Sequence, residues 1–374
     1  MTDNPRVFHL ITRLLKGGAE AKTMQTVLGL EDYEFRVGHG AEYDPDQVAQ
    51  LEEAGIETRR FASIRHYNPV TAVPAVGAVA RYIRKHEFDI VHTHSTEAGI
   101  IGRFAAALAG DTAVVHTVHG VPFASDRNDL LERFVLYCER AAARRTDRLV
   151  TNADAIAEDY LLRGIGHHEQ YTTVYSGIDV NQFREAEPAA DVTGAGVRIV
   201  MVGRLADGKG FEDLLAAVDR LDRDDLSVYL VGDGPLQETL DAEIEKRDLA
   251  ETVYLLGYRD DVPTILAACD VFVLPSYREG TPRVITEAMA SGLPIIATNI
   301  AGIPEQVKDG TNGFLIEPGD IEALASHLDE LCSSAEHRAA LGAASQERVG
   351  RFSVEQMISD LNSVYQDLLN SENK

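Results

Sequence analysis

The chain has 374 residues, 45% of them hydrophobic, and carries a formal net charge of −25 at pH 7. This length favours two domains over a single core, and the acidic balance argues against broad nucleic-acid binding. The three cysteines are far apart, which excludes a zinc-binding spacing and predicts free thiols. No secretion signal is expected, because MTDNP at the N-terminus leads directly into VFHLI, which is too short and wrongly flanked. No membrane span is expected either, because the most apolar segment, 69–83, is interrupted by Pro74 and Gly77.

Apolar, β-rich runs alternate with segments of helical periodicity along the whole chain. We predict strands at 7–12, 35–40, 89–94, 113–118, 148–152, 172–176, 198–203, 226–232, 252–257, 270–275 and 294–298. Such alternation predicts parallel sheets covered by helices on both faces. The expected fold is therefore α/β, with two doubly wound Rossmann-like domains facing each other across a cleft.

The domain boundaries follow from composition. Residues 184–196 are rich in Pro, Gly, Ala and acids and lack periodicity, so they are the predicted linker. The two domains are then 1–183 and 197–350. Residues 351–374 are expected to form a C-terminal helix that packs back on the first domain.

Histidine is concentrated in the first half, where ten of the 12 histidines lie before residue 180. His92 and His94 share one face of a predicted strand, beside His116 or His119. Only Glu97 offers a nearby carboxylate, so no metal site is predicted.

Two arginine features of the first half have open interpretations. Arg103 either contacts an anionic acceptor or only caps the sheet. The basic run at 139–148 is either a solvated helix face or an approach to an anionic membrane.

The stretch GRLADGKG, residues 203–210, joins a predicted strand to a helical segment, an arrangement that often binds phosphate. It matches the triphosphatase loop except that Gly210 stands where a Ser or Thr would hold Mg²⁺. A triphosphatase would also have a hydrophobic strand that ends in aspartate, whereas the aspartate of DVFVLP begins its strand. The triphosphatase interpretation is therefore disfavoured. Arg204 and Lys209 can neutralise a diphosphate without a metal.

The stretch REGTPRVITEAMASG, residues 278–292, follows the strand at 270–275 and predicts a helix. Thr281 is the expected N-cap, Pro282 suits the first helical position and Gly292 suits the stop. The amides of Arg283 and Val284 are then free to hold an anion.

Two glutamates flank this helix start. Glu279 lies on the approaching loop and Glu287 lies one turn into the helix. A diphosphate on the amides would place a ribose near Glu287 and a sugar near Glu279, since carboxylates accept paired hydroxyl hydrogen bonds. The turns VGDGPL and LLGYRDD, with Gly232 and Arg259, are expected to line the same edge.

In their order and spacing, GRLADGKG, VGDGPL, GYRDD, REGTPRVITEAMASGLPIIAT and GTNGFLIEPGD resemble the retaining glycosyltransferases of family four, which have the GT-B fold. Glu279 and Glu287 match that family's E-x7-E motif. The resemblance implies that Glu287 holds the donor ribose and Glu279 the donor sugar. It also implies that Arg204 and Lys209 hold the diphosphate and stabilise charge on the leaving group.

The resemblance extends to the first half of the chain. LLKGGAE, residues 14–20, resembles the family's glycine-rich loop, where Gly17 and Gly18 let the backbone approach the donor phosphate and the acceptor. His119 matches a position at which the family places a histidine near the reacting sugar. We therefore expect His119, Arg204, Lys209 and Glu279 to act in catalysis.

The resemblance implies a cytoplasmic, retaining, metal-independent glycosyltransferase of polysaccharide, glycolipid or glycan assembly. The expected partners are a UDP- or GDP-sugar donor and a sugar, glycan or lipid-linked acceptor, with no cofactor, because the nucleotide sugar is a substrate. Peripheral membrane contact through the first domain is a further expectation. Two alternatives stay open: an epimerase or phosphorylase-like enzyme of the same fold, which would form product without an acceptor, and a nucleotide-sugar-binding protein without turnover.

Overall fold

The computed structural model describes residues 4–65, 69–120, 129–194, 196–221 and 223–371. The chain forms two compact units, Met1–Gly177 with Glu355–Lys374, and Ile178–Val354. The predicted linker 184–196 lies in the second unit, where the Ala189 N–H donates to the Thr264 carbonyl at 2.9 Å. Ala195 of that linker and residues 372–374 of the predicted C-terminal helix lie outside the described residues.

The first unit is built on a seven-stranded parallel sheet. Its strands are β1 Arg6–Ile11, β2 Glu34–His39, β3 Glu57–Arg60, β4 Ile90–His94, β5 Ala113–Val118, β6 Arg148–Thr151 and β7 Tyr171–Thr173. Their order in the sheet is β3-β2-β1-β4-β5-β6-β7. The helices between them are α1 Gly18–Gly29, α2 Pro45–Glu53, α3 Pro69–His86, α4 Thr96–Ala109, α5 Asp129–Ala143 and α6 Asp154–Leu162, with a 3₁₀ turn at His168–Gln170.

The second unit holds a six-stranded parallel sheet. Its strands are β8 Val197–Val202, β9 Leu226–Val231, β10 Val253–Gly257, β11 Val271–Leu274, β12 Ile295–Thr298 and β13 Gly313–Ile316, in the order β10-β9-β8-β11-β12-β13. Its helices are α7 Val180–Arg184, α8 Phe211–Arg220, α9 Gln237–Lys246, α10 Val262–Ala267, α11 Arg283–Ala290, α12 Ile303–Gln306, α13 Ile321–Ser333 and α14 Ala335–Arg348, with a 3₁₀ turn at Val349–Phe352.

The last helix, α15 Val354–Ser371, packs on the sheet of the first unit. Its residues Met357, Leu361, Val364 and Leu368 share a buried cluster with apolar residues of α1, β1 and β2. The other sheet face is covered by α3 and α4, in a separate cluster. Because each sheet is buried on both faces, its central strands are buried and mostly apolar, although β1, β4 and β5 also carry buried histidines.

The predicted α/β class with two doubly wound parallel sheets is confirmed. Each sheet reverses its strand order once, between β1 and β4 and between β8 and β11. Ligands in such sheets bind outside the carboxyl ends of the strands at this reversal. The loops after β1, β4, β8 and β11 are therefore the places where each unit would bind a ligand.

Lys22, on α1, is an unusual buried residue of the first unit. Its side chain is 2% exposed, and its Nζ donates to the Val174 carbonyl at 2.5 Å. Burial lowers its pKa from 10.5 to about 7, against a smaller opposing effect of Asp360. The folded protein thus favours the neutral amine.

We expect the stability of the first unit to rise with pH because of Lys22. Between pH 7 and 10.5 the unfolded chain binds a proton that the folded chain does not, so the free energy of unfolding increases, on the order of 3 kcal/mol by pH 10. Lys22→Met should remove this increase. Urea unfolding of both proteins at pH 7 and 9.5 measures the difference, and parallel pH dependence in the two would contradict the prediction.

Candidate active site

The loop after β8 is held against the loop after β9 by backbone contacts. Leu205 N–H donates to the Asp233 carbonyl at 2.8 Å, and Leu236 N–H donates to the Leu205 carbonyl at 3.0 Å. A side chain on Gly232 would overlap the Gly203 carbonyl oxygen, and the Gly232 N–H already donates to Gly257. The structure thus gives Gly232 a packing role between the loops, and its amide is not free for a donor phosphate.

Gly210 closes the GRLADGKG loop at the start of α8. Its φ of +83° is left-handed, and an added Cβ would overlap the carbonyl oxygen of Pro275, which follows β11. The neighbouring Tyr277 N–H donates to the Gly208 carbonyl, and Ser276 Oγ donates to the Lys209 carbonyl. The loops after β8 and β11 are therefore joined at Lys209.

We expect Gly210→Ala to lower the free energy of unfolding of the second unit by roughly 2 to 3 kcal/mol, because it adds a steric overlap to an unfavourable φ. Nucleotide binding should weaken too, since the overlap displaces Lys209. Gly208→Ala is the matched control, because Gly208 has a φ of +80° but open space around its Cβ position. Urea unfolding and nucleotide titration measure both effects, and equal losses in the two variants would contradict this account.

Lys209 and Glu279 form the central charged pair of the second unit. Lys209 Nζ donates to Glu279 Oε1 at 2.7 Å, with the two side chains 30% and 11% exposed. The pair lies at the carboxyl ends of β8 and β11, where the strand order reverses. A cation and a carboxylate, a group that can accept paired hydroxyl hydrogen bonds, therefore meet at the position expected for a ligand.

The helix start beside this pair differs from the prediction. The N-cap of α11 is Pro282, with φ −68° and ψ 121°, and not Thr281. Proline fixes φ in a range that also suits the residue before a helix, so α11 begins one position later, at Arg283. No side chain caps this end among the described residues, so the amides of Arg283 and Val284 face outward from the helix start.

Glu287 lies one turn into α11 and is mostly buried, with 16% of its side chain exposed. Burial raises its pKa above the ordinary glutamate value, and the nearby Arg283 guanidinium, with Nε 4.0 Å from Glu287 Oε1, opposes this rise. Burial therefore disfavours the charged form of this carboxylate, and Arg283 offsets part of that effect.

The two remaining arginines of the predicted donor site differ in their surroundings. Arg204 is exposed on the loop after β8, and in the described parts of the chain its guanidinium has no ion-pair partner. Arg259 is held by Asp191 and Asp261, each at 2.6 Å, and these contacts raise its pKa. Arg204 is thus available for a phosphate, whereas Arg259 would have to leave two carboxylates.

The first unit has its own polar cavity, of about 160 Å³, at the carboxyl ends of β1, β4 and β5. Thr12, Ser95, Glu97, Thr117 and His119 contribute to its lining. Thr12 Oγ1 accepts the Ala98 N–H at 3.0 Å and thereby caps α4. Ser95, between β4 and α4, has a left-handed φ of +63°, a strained conformation of the kind found at ligand sites.

Gly17 and Gly18 lie at the exposed start of α1, after β1. Gly17 is the N-cap with an extended φ of −169°, and no side chain caps this helix end within the described residues. A Cβ on Gly17 would approach Glu20 Oε2. The two glycines keep an open helix start, which is the feature expected of a phosphate-facing loop.

His119, which is half-buried just after β5, is linked to buried histidines of the sheet. His94 Nδ1 and His119 Nε2 lie 3.1 Å apart, and His9 Nδ1 lies 2.9 Å from His94 Nε2. Burial lowers the pKa of His9 and of His119 to about 3, so both are neutral at pH 7. Nitrogens of His9, His92 and His94 lie within 4.8 Å of one another, which is the geometry of a possible metal-ligand set.

His9 was not predicted in this cluster. Of the two predicted neighbours of His92 and His94, His119 is the one that contacts the cluster, and His116 is not. His9 of β1 is paired with His92 of β4, and His94 lies two residues further along β4, so all three share one sheet face. His116 points to the other face, where its Nδ1 contacts Thr93 Oγ1 at 2.9 Å. The alternation of side chains along each strand predicts which residues share a face of that strand. The contact of His9 with His92 and His94 could be predicted only with the additional knowledge that β1 pairs with β4.

Arg103 has a structural role. Its Nη2 donates to Glu139 Oε2 at 2.6 Å, and both side chains are buried, at 0% and 1% exposure. A residue enclosed in this way has no access to an anionic acceptor, so the first of the two interpretations of Arg103 is wrong.

Comparison with known proteins decides the family. The family model described as "Glycosyltransferase Family 4" matches residues 17–182, and the family model described as "Glycosyl transferases group 1" matches residues 186–348. A UDP-Gal:alpha-D-GlcNAc-diphosphoundecaprenol alpha-1,3-galactosyltransferase of Escherichia coli is 35% identical over 276 residues, covering 71% of each chain. The chain belongs to glycosyltransferase family four.

Other members of the family and its fold agree. A D-inositol 3-phosphate glycosyltransferase of Corynebacterium kroppenstedtii is 29% identical over 312 residues. The alignment covers 76% of the present chain and 68% of the Corynebacterium enzyme. The crystal structure of Anabaena Alr3699/HepE with UDP superposes with a TM-score of 0.84 at 24% identity, over 97% of this chain and 100% of that chain. The fold is therefore GT-B, and the expected family and fold are confirmed. Among its described helices, none has the length and apolar character needed to cross a membrane.

Proposed function

We propose that this glycosyltransferase transfers a sugar from a nucleoside-diphosphate donor to an acceptor hydroxyl, with retention of anomeric configuration and without a metal ion or cofactor. The observation that carries this proposal is the Lys209–Glu279 pair at the reversal of strand order, beside the open start of α11. Lys209, Arg204 and the α11 amides supply the positive potential that a diphosphate needs. Glu279 supplies acceptors for sugar hydroxyls.

The donor base is proposed to be uracil. The name of the Escherichia coli relative specifies UDP-Gal, and Anabaena Alr3699/HepE has been crystallised with UDP and with UDP-glucose. The name of the Escherichia coli relative also specifies a diphosphoundecaprenol-linked sugar as its substrate, which supports a lipid-linked sugar or glycan as the acceptor class.

In the proposed reaction, the bond between the anomeric carbon and the diphosphate oxygen breaks as the acceptor oxygen bonds to the same face of that carbon. The acceptor proton passes to the leaving diphosphate oxygen. Negative charge grows on the diphosphate, and Lys209 and the amides of Arg283 and Val284 stabilise it. Glu287 is proposed to hold the ribose, and Glu279 a donor sugar hydroxyl. The cavity lined by His119 is proposed to bind a sugar hydroxyl.

Calorimetric titration with UDP, GDP and ADP in EDTA tests the donor site. We expect micromolar UDP binding that EDTA leaves unchanged and that weakens at high salt. Binding abolished by EDTA would contradict metal independence. Product analysis by NMR, from UDP-glucose or UDP-galactose with a lipid-linked acceptor, then tests retention through the anomeric coupling. Product formed without acceptor would instead indicate an epimerase or phosphorylase-like enzyme.

We also propose peripheral contact of the first unit with the cytoplasmic face of a membrane. The apolar side chains of Val70 and Val73 on α3, and of Phe134 and Tyr137 on α5, are exposed. Basic residues accompany them on the same helices, including Arg81 and Arg133.

Sedimentation with phosphatidylglycerol vesicles tests this contact. Exchange of Phe134 and Tyr137 for serine should lower the bound fraction severalfold. Tyr258→Ser is the matched control, because Tyr258 is 74% exposed in the second unit. Equal binding of all variants would contradict a contact through α5.

A further inference from the structure

Six side chains of the first unit form one continuous chain of hydrogen bonds that ends at His119. The contacts, in order, are Thr117 Oγ1 to His92 Nε2 at 2.7 Å, His92 Nδ1 to Tyr365 Oη at 2.6 Å, Tyr365 Oη to His9 Nε2 at 3.0 Å, His9 Nδ1 to His94 Nε2 at 2.9 Å, and His94 Nδ1 to His119 Nε2 at 3.1 Å. We call this set the histidine chain.

The histidine chain is a product of tertiary packing. Its strand residues lie on one face of β1, β4 and β5, at paired positions of parallel strands. Tyr365 comes from α15 and places its hydroxyl between His9 and His92. Except for the half-buried His119, every member is buried, and its histidines are held neutral because burial disfavours the imidazolium form.

Neutral histidines in such a chain have only two arrangements that satisfy every contact and also place the Tyr365 hydroxyl proton in a hydrogen bond. A neutral imidazole donates from one nitrogen and accepts at the other, and the Tyr365 hydroxyl has one proton. If Thr117 donates to His92 Nε2, every histidine in the chain carries its proton on Nδ1. If His92 donates to Thr117, every one carries it on Nε2. Every other arrangement leaves a buried contact without a proton, places two protons in one contact, or lets Tyr365 Oη accept from both His92 and His9, which leaves the buried Tyr365 hydroxyl proton without an acceptor in the chain.

We propose that Thr117, His92, Tyr365, His9 and His94 are positioning residues that set the tautomer of His119 collectively. Thr117 and His119, the two ends of the chain, line the same polar cavity. In one arrangement His119 Nδ1 offers an N–H to a ligand, and in the other it offers a lone pair. Nδ1 has no partner among the residues that the structure describes.

The two arrangements interconvert without creating a buried charge. One proton shifts across each of the five hydrogen bonds, one leaves from His119 Nδ1, and one is taken up at Thr117 Oγ1. His119 can therefore match a hydroxyl or a phosphate oxygen while it stays neutral. The consequence for catalysis rests on the proposed function, but the tautomers themselves are measurable without any turnover.

The test is ¹⁵N NMR of the histidine side chains in the full-length protein at pH 7, with resonances assigned by single substitutions. Two-bond correlations distinguish Nδ1–H, Nε2–H and imidazolium. We expect His9, His92, His94 and His119 to share one tautomer, and any change on adding UDP to move all four together. Different tautomers among them, an imidazolium, or a zinc ion bound by His9, His92 and His94 would overturn the proposal.

Tyr365→Phe removes the one hydroxyl that joins His92 to His9. His92 should then take the Nε2–H form and the other three the Nδ1–H form, because an unpaired ring nitrogen keeps a lone pair more readily than an N–H. We expect kcat to fall roughly tenfold, with the donor KM unchanged.

Tyr33→Phe is the matched control, since the Tyr33 hydroxyl contacts Asn362 and Gln366 of the same helix and lies outside the histidine chain. It should leave both the tautomers and kcat as in the wild type. If Tyr365→Phe changed neither the tautomers nor kcat, or if both variants lowered kcat equally, the histidine chain would have no specific role in the reaction. Absence of transfer in the wild type would reject only the proposed function, since the tautomer measurement would still stand.

Discussion

Lys209→Ala and Glu279→Ala are each expected to abolish sugar transfer, lowering kcat/KM by at least about 100-fold while leaving the fold intact. In the proposed reaction Lys209 stabilises charge on the leaving diphosphate, and losing one such preorganised donor typically costs this much. Glu279 is proposed to hold the donor sugar through hydrogen bonds, which a methyl group cannot make. Near-wild-type turnover in either variant would contradict the proposed donor site.

Nucleotide binding should separate the two roles. Lys209→Ala should weaken UDP and UDP-sugar alike, because the lost charge faces the diphosphate. Glu279→Ala should leave UDP affinity equal or higher, since Lys209 is freed from its 2.7 Å partner. It should weaken the UDP-sugar relative to UDP. Titration calorimetry with both ligands measures this split.

Lys246→Ala is the matched control for Lys209→Ala. Lys246 Nζ lies 2.6 Å from Glu243 Oε1 on α9, an ion pair of the same kind in the same unit, but the lysine is 71% exposed. Its loss should change neither transfer nor binding measurably. A comparable loss in both variants would mean that general charge in the second unit, and not the position of Lys209, governs activity.

Arg103→Met is expected to destabilise the first unit by about 3 to 5 kcal/mol. The substitution leaves the Glu139 carboxylate buried without its partner, and an uncompensated buried charge carries a penalty of this size. Arg103→Met combined with Glu139→Leu should recover much of the loss, because it removes both charges. Urea unfolding followed by signals of the first unit measures the three proteins.

Arg6→Met tests whether any lost ion pair would do the same. Arg6 and Glu34 lie 3.7 Å apart with side chains 40% and 55% exposed, and such surface pairs contribute about 1 kcal/mol or less. If Arg103→Met changed stability no more than Arg6→Met, or if the double variant were less stable than the single one, the buried-pair account would be wrong.

Most of the sheet elements were predictable because central strands of parallel sheets are continuous apolar runs. The two strands without a prediction show the limit of that signal. β3, with the sequence ETRR, lies at a sheet edge and is charged and largely exposed. β13 lies at the edge of the other sheet and has only four residues. The other two edge strands, β7 and β10, were predicted from their β-rich runs. Charged or very short edge strands such as β3 and β13 are defined mainly by the neighbour they pair with, which a local pattern does not contain.

For the proposed donor site, the local sequence was sufficient to predict which groups lie at the same edge of the sheet. Lys209, Glu279 and the α11 start each follow a predicted strand, and parallel strands bring their carboxyl ends to one edge. The local sequence did not determine the 2.7 Å pairing of Lys209 with Glu279, since that depends on how the loops after β8 and β11 meet at Gly210. Nor did it show that Arg259 is held by Asp191, 68 positions away.

The histidine chain and the buried Arg103 were decided by tertiary structure alone. Tyr365 reaches His9 across 356 positions, and only the docking of α15 on the first sheet places its hydroxyl between two imidazoles. From the local sequence, Arg103 is an ordinary cation on a helix. Its burial depends on the packing of α5, whose Glu139 accepts a hydrogen bond from Arg103. Local patterns encode which face a side chain takes, because backbone periodicity is local. Which partner it meets there depends on segments distant in the chain, so the protonation and accessibility of these groups follow only from the packed structure.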